Sequence, residues 1–338
     1  MSALIYAILG LAFINLTFAA AVVLLRMRNV RRAARLDVLK DVWHPRIIGL
    51  ISDDSNTESL RALVAPHEQR DVVEISWDIA RRLRGSDRVQ RFAAPLLDET
   101  TPDLEARRSE TRARALQIVS CLGGTAYEPA IVASLDDRSS LVSVVAARAL
   151  CQPNRTQWIY EVLDRLGRYE SWSVALTASM LENAGTGAAP AMREYLGDDR
   201  RPAFARAAVA RSLMLLKDAE AADVAAAQLT KTDPELIAAC LRLLAAVGSE
   251  AHAHAVRPLI DDDRFFVRAE AMTVLGKLGE PRDAEAILAA IDVDSPWIAI
   301  RATSALAELH ATDELATLVN AGGLPAEAAI ETLYNGVA

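Results

Sequence analysis

A chain of 338 residues that is 52% hydrophobic but only 5% aromatic can bury a large core, and that core must be built chiefly from Ala, Leu and Val. The net charge of −8 is unevenly placed: residues 1–25 carry no charged side chain, residues 26–40 carry +5, and residues 41–338 carry 31 basic against 44 acidic groups. A protein that grips nucleic acid must neutralise phosphates with Lys and Arg, so an acidic body argues against DNA- and RNA-handling functions.

The first predicted element is a membrane-spanning helix. Ala3 to Leu25, "ALIYAILGLAFINLTFAAAVVLL", is a 23-residue run without a charge, long enough for a helix to cross a hydrocarbon core of about 30 Å. A secretory signal would place its basic residues before a shorter run and follow it with a small-residue cleavage site; here the basic residues all come after. Asn15, with Ala3, Ala7 and Gly10, offers the polar and small side chains through which membrane helices associate, so Asn15 is a candidate partner contact.

Residues 26–40 follow as a basic juxtamembrane segment. Arg26, Arg28, Arg31, Arg32 and Arg35 resist translocation and favour an anionic leaflet, which predicts an N-terminus outside, these arginines at the inner surface against anionic lipid, and the remainder in the cytoplasm of a bacterial cell. Cys121, Cys151 and Cys240 form an odd set with no CxxC or Cys/His ligand spacing, as expected of reduced core thiols.

From residue 41 onward, apolar residues recur at helical spacing and strand-like alternation does not, so the body reads as all-α. "DDDRFFVRAEAMTVLGKLG" at 261–279 is echoed by "DSPWIAIRATSALAEL" at 294–309. Aligning on that pattern gives equivalent positions at Arg112, Ser143, Val174, Arg206, Ile237, Arg268 and Arg301, spaced by 31, 31, 32, 31, 31 and 33 residues. Eleven residues further on stand Gly123, Gly185, Gly248 and Gly279, where a helix would end. A unit of about 31 residues holding two short helices is the signature of an α-solenoid. Regular units cover 112–338 and degenerate ones 41–111, with an irregular insertion at 98–110.

The run "D-x-x-V-R-x-x-A-x-x-x-L-G-x-L-G" in Asp263 to Gly279 resembles the HEAT family, in particular the short bacterial HEAT-like repeats also seen in phycobilisome-lyase-type proteins. The likeness weakens at Ser143, Val174 and Ile237, which lack the Arg, and at Asn154 and Lys217, which lack the closing Gly. It implies an all-α solenoid preceded by a single transmembrane helix, with the column arginines paired to acids of neighbouring units.

Little in the body carries chemistry. Acid pairs at Asp53 and Asp54, Asp136 and Asp137, Asp198 and Asp199, and the triplet Asp261 to Asp263 recur at unit junctions, where an acid can cap free N–H groups at a helix start. His252 and His254 stand two apart, a spacing that points them to different helix faces rather than to one metal. The five Trp are expected mostly in the core. Trp158, Arg165 and Trp172, with Tyr160, Tyr169, Arg155 and Arg168 close in the chain, have the aromatic and Arg composition of an interface hot spot and form the candidate partner-binding cluster. No catalytic residue, metal or cofactor is expected. The leading function is a membrane-anchored cytoplasmic scaffold for a partner protein, such as a membrane-embedded polysaccharide-synthesising glycosyltransferase. The alternative, which rests on the resemblance, is a lyase-type protein handling a tetrapyrrole.

Overall fold

Helix is the only regular structure among the described residues of the computed structural model, which are 2–52, 60–83, 87–291 and 295–335. The chain divides into two compact units, Met1–Ile131 and Val132–Ala338.

The first unit contains α1 (Ser2–Ser52), α2 (Leu60–Leu63), α3 (Gln69–Arg82), α4 (Asp87–Ala93) and α5 (Ser109–Leu122). The C-terminal part of α1 presents Leu39, Trp43 and Ile47, four residues apart and therefore on one face, to Val72, Val73, Ile75 and Ile79 of α3 and to Leu122 of α5. Each such side chain removed from water stabilises the unit by roughly 1.5–3 kcal/mol. The predicted insertion is not a bare loop: it holds two 3-10 segments, Ala94–Glu99 and Thr101–Glu105, with Leu96, Leu97 and Thr100 buried. Helix α6 (Glu128–Ala133) runs across the division.

In the second unit the longer helices are α7 (Ser140–Leu150), α9 (Val174–Glu182), α11 (Ala203–Leu215), α13 (Pro234–Val247), α15 (Phe265–Leu278), α17 (Pro296–Glu308) and α19 (Gly323–Asn335). Each packs on the next in that order. Between them lie the shorter α8 (Ile159–Asp164), α10 (Ala189–Gly197), α12 (Ala222–Gln228), α14 (Ala253–Val256), α16 (Asp283–Ala289) and α18 (Thr312–Ala321). These form a second layer in which α8, α10, α12 and α14 touch in sequence, as do α16 and α18. Two layers of helix pairs, each meeting only its neighbours, are the α-solenoid arrangement. Small residues permit the close stacking: Ala205, Ala207, Ala208 and Ala210 of α11 are all buried. At Gly276 in α15 a Cβ would lie 2.7 Å from the Ala305 Cα of α17.

The helix starts give the repeat a register that corrects the sequence alignment. The N-caps of α5, α7, α9, α11, α13, α15 and α17 are Arg108, Ser139, Ser173, Pro202, Asp233, Arg264 and Ser295. Four residues after each cap stand Arg112, Ser143, Thr177, Arg206, Ile237, Arg268 and Ala299. Thr177 thus replaces Val174 in the column, and Ala299 replaces Arg301, whose side chain instead lies over the Trp297 ring at 4.9 Å. The misalignment arose where the spacing between caps departs from 31 residues, either side of Ser173.

The column arginines do not pair with acids of neighbouring units, as the family resemblance implied. They donate to carbonyls of the turn just before their own helix: Arg112 to Ala106 O at 2.8 Å, Arg268 to Asp262 O at 2.9 Å, and Arg206 to Leu196 O at 3.0 Å. Ser143 is too short to span that gap, yet its hydroxyl reaches Leu135 O at 2.6 Å, and the buried Tyr169 hydroxyl fills the remaining space 2.9 Å from Ser143 Oγ. Where the column residue is apolar, at Ile237 and Ala299, the cap side chain closes the turn instead. Asp233 accepts from Leu236 N at 2.9 Å, and Ser295 accepts from Ile298 N at 3.5 Å.

The junction acids also act differently from expectation. Asp137, Asp198 and Asp262 accept from the backbone N–H two residues on, at 2.8, 3.1 and 2.9 Å, bracing the turn rather than capping the helix. Asp53 and Asp54 lie outside the described residues. At the other helix end, the missing glycine at Lys217 is replaced by a left-handed lysine, φ 55°, and His310 does the same at φ 57°.

Replacing Arg206 by Met leaves buried turn carbonyls without their donor and is expected to lower unfolding free energy by about 2–3 kcal/mol, measured by urea titration. Lys217→Gly relieves a left-handed side chain and is expected to raise it by up to about 1 kcal/mol.

Candidate interaction surfaces

Helix α1 continues without a break from the core of the first unit toward the chain start, and its exposure changes along the way. Leu39, Trp43 and Ile47 are buried, whereas Phe18, Val22, Val23, Leu24, Met27 and Val30 are large apolar side chains left uncovered, Phe18 at 70% exposure and Leu24 at 67%. Among the described residues no helix is long and apolar enough to cross a membrane. Most side chains of the predicted span, that of Asn15 included, lie outside the described residues, and so do the side chains of Arg28 and Arg32. Arg26, Arg31 and Arg35 are exposed. Arg35, however, is held by the domain: it donates to His67 O at 3.3 Å and lies 3.4 Å from Asp71.

Next to that departure point, the first unit has a cleft of about 470 Å³ walled by Leu36 of α1, Arg70 and Glu74 of α3, Asp103 of the insertion and Arg114 of α5. Its charges are matched internally, Arg70 with Asp103 and Arg114 with Glu74. Beside them the Trp77 ring receives the guanidinium groups of Arg114 at 3.9 Å and Arg81 at 5.0 Å. A charged, self-neutralised wall differs from the mostly apolar lining of small-molecule pockets. No group of His, Cys, Asp and Glu suited to a metal occurs among the described residues.

The sequence-predicted cluster in the second unit is dispersed over different tasks. Trp158 closes a 3-10 segment (Pro153–Trp158) ahead of α8, half-buried. Arg165 ends α8 and is engaged within the chain, gripping Asp136 through Nη2 at 2.7 Å and Glu161 through Nη1 at 2.7 Å. The Arg165 hydrogen bond holds the Asp136 carboxyl below its ordinary pKa. Trp172 stands half-buried in the turn before α9, with its backbone N–H on Tyr169 O. Tyr169 itself is core. The expectation that the tryptophans are mostly core is corrected: Trp43 is buried, Trp77, Trp158 and Trp172 are half-buried, and Trp297 is 51% exposed.

Ion pairs between successive helix pairs do exist, in columns the sequence did not single out. Arg193 reaches Asp218 at 2.8 Å, Arg242 reaches Glu270 at 2.8 Å, Arg257 reaches Asp283 at 2.6 Å, and Lys231 reaches Asp199 at 2.6 Å. His252 caps its own turn through Ser249 and meets Asp223 at 3.0 Å, a structural role. The spacing of about 25–32 residues between partners, roughly one repeat, is the signal that would have revealed these pairs.

Residues 223–307, from α12 through most of α17, match the family model of HEAT repeats. No curated protein matches the sequence. Two crystal structures described as engineered proteins of the Northeast Structural Genomics Consortium are similar. The first is 17% identical, with a TM-score of 0.40 over 86% of this chain and 88% of that one. The second is 19% identical, with a TM-score of 0.23 over 71% and 95%.

Burial pushes the thiols of Cys151 and Cys240 up to about 12. In the unfolded chain these groups ionise near the ordinary thiol value of about 8.5, so stability that is complete below that pH falls as pH rises toward 12. Unfolding free energy is expected to drop between about pH 9 and 11, and less steeply in Cys151→Ala/Cys240→Ala. A disulfide-exchange reagent at about pH 8, below the ordinary thiol value, should label neither thiol until denaturant is added.

Proposed function

We propose that the protein is a non-enzymatic, membrane-tethered scaffold. Its α1 helix enters the inner membrane of a bacterial cell with the N-terminus outside, and its helix-pair units hold a partner protein on the cytoplasmic side. HEAT repeats generally serve as protein-binding surfaces, and the segment 223–307 is of that type. The single observation that carries the tethering is α1 itself: its apolar side chains from Phe18 to Val30 have nothing to cover them in the chain, they continue an uncharged run reaching back to Ala3, and arginines follow at 26, 28, 31, 32 and 35. Exposed apolar surface of this kind requires lipid or a protein partner, and its length and one-sided basic flank favour lipid with an anionic inner leaflet.

The partner suited to such a device is itself a membrane protein, because tethering raises the local concentration of the scaffold only toward neighbours in the same membrane. A membrane-embedded enzyme or export complex, such as a polysaccharide-synthesising glycosyltransferase, has that character. The tetrapyrrole-handling alternative gains no support from the cleft in the first unit, whose walls are ion pairs rather than apolar planes.

Fractionation tests the tether: the full chain should stay in the membrane pellet through alkaline carbonate, and external protease on intact cells should leave the repeats uncut. Release by carbonate overturns the reading. Crosslinking after mild detergent extraction should then recover a membrane protein attached to the repeats, and recovery of the chain alone would contradict the scaffold.

A further inference from the structure

The corrected register reveals a second column, at the second residue of each longer helix in the second unit: Leu141, Ala175, Phe204, Glu235, Phe266 and Trp297 in α7, α9, α11, α13, α15 and α17. Three of these six are aromatic in a chain with only 5% aromatic composition. The column is not buried. Trp297 is 51% and Leu141 38% exposed, Phe265 beside it in α15 is 56% exposed, and Phe204 and Phe266 are half-covered. Trp172, half-buried in the turn ahead of α9, precedes the alanine of that helix. Core packing does not call for large rings at helix starts that remain partly in water; exposed rings in a row mark a contact edge.

The same edge carries exposed carboxylates. Glu170 stands two residues before Trp172, Glu235 occupies the column in α13, and Asp261 and Asp263 precede Phe265. Carboxylates interleaved with aromatic faces are complementary to guanidinium groups, which pair with the acids and stack on the rings. The edge already contains one such contact within the chain, the Arg301 guanidinium over Trp297 at 4.9 Å. Spacing selects the form of the ligand. Packed helices stand about 8–10 Å apart, and a polyproline II segment advances about 9 Å for each turn of three residues, so one face of such a segment meets one helix start after another.

We propose that this edge binds an extended, arginine- and proline-rich segment of the partner protein, an assignment that rests on the scaffold reading and specifies its recognition chemistry. Full-length protein in detergent micelles would be titrated with a fluorescent twelve-residue peptide of repeating Arg-Pro-Pro and with its Glu-Pro-Pro counterpart, following anisotropy. The cationic peptide should bind, its affinity should fall steeply with salt, and the acidic peptide should bind at least tenfold more weakly. Phe265→Ser/Trp297→Ser, at exposed positions, should keep the helical circular dichroism and lose affinity at least tenfold; Glu235→Lys/Asp263→Lys should do the same. Undiminished binding in either double variant, equal binding of the acidic peptide, or no binding of the cationic one would overturn the proposal. Crosslinking of the native partner separates the two readings: a partner retained by Phe265→Ser/Trp297→Ser refutes the edge while leaving the scaffold intact.

Discussion

Each helix pair begins with a tight turn whose carbonyl groups point inward under the longer helix, and an inward carbonyl has to be given a donor. The structure meets this requirement in two interchangeable ways. An arginine four residues past the helix cap reaches back into the turn, as at Arg112, Arg206 and Arg268, or the cap side chain closes the turn itself and the column position becomes apolar, as at Asp233 with Ile237 and Ser295 with Ala299. Ser143 assisted by Tyr169 is an intermediate solution, in which a residue from 26 positions away supplies what the shorter side chain cannot. Once the turns are fixed, the direction of each longer helix is fixed, and the alanine-rich faces can meet at close range. Arg155, buried and donating to Ala149 O at 2.8 Å, extends the device to a turn within a pair.

That requirement explains how much the sequence disclosed. Helical class, repeat length and the position of most turns were legible because apolar spacing and the Asp-rich junctions repeat with nearly constant period. The column was placed correctly at Arg112, Ser143, Arg206, Ile237 and Arg268. It slipped at Val174 and Arg301, where the turn changes its mode of closure and the arginine is replaced or displaced. A pattern search follows residue type, whereas the fold conserves only the satisfied carbonyl. The ion pairs between neighbouring helix pairs escaped notice for a related reason: Arg193 with Asp218 and Arg257 with Asp283 join positions with no shared local motif. Of the candidate binding residues, Trp172 keeps part of its surface in water, while Arg165 is committed to Asp136 and Glu161.

Charge is thus used mostly internally. The acidic excess of the body coexists with a dense set of Asp–Arg contacts in the turns, and such exposed pairs contribute modestly to stability. Their effect is geometric: Asp262 with Arg264 and Asp198 with Arg200 hold consecutive residues of a turn in one conformation. The chain thereby presents its helix starts in a fixed row, which a surface built from flexible loops would not do.

Helix α1 joins the apolar run to the first unit without a loop, with Leu39, Trp43 and Ile47 anchoring its far end. A continuous α-helix transmits angle as well as distance, at about 100° and 1.5 Å per residue. On the tethered reading the stretch between Leu25 and Leu39 therefore works as a spindle: its residue count sets which side of the domain faces along the membrane and at what height. Lengthening it by one residue would turn the whole first unit by more than a quarter circle, whereas adding a full turn would mainly raise it. The number of residues in that stretch, more than their identity, encodes the heading of the domain.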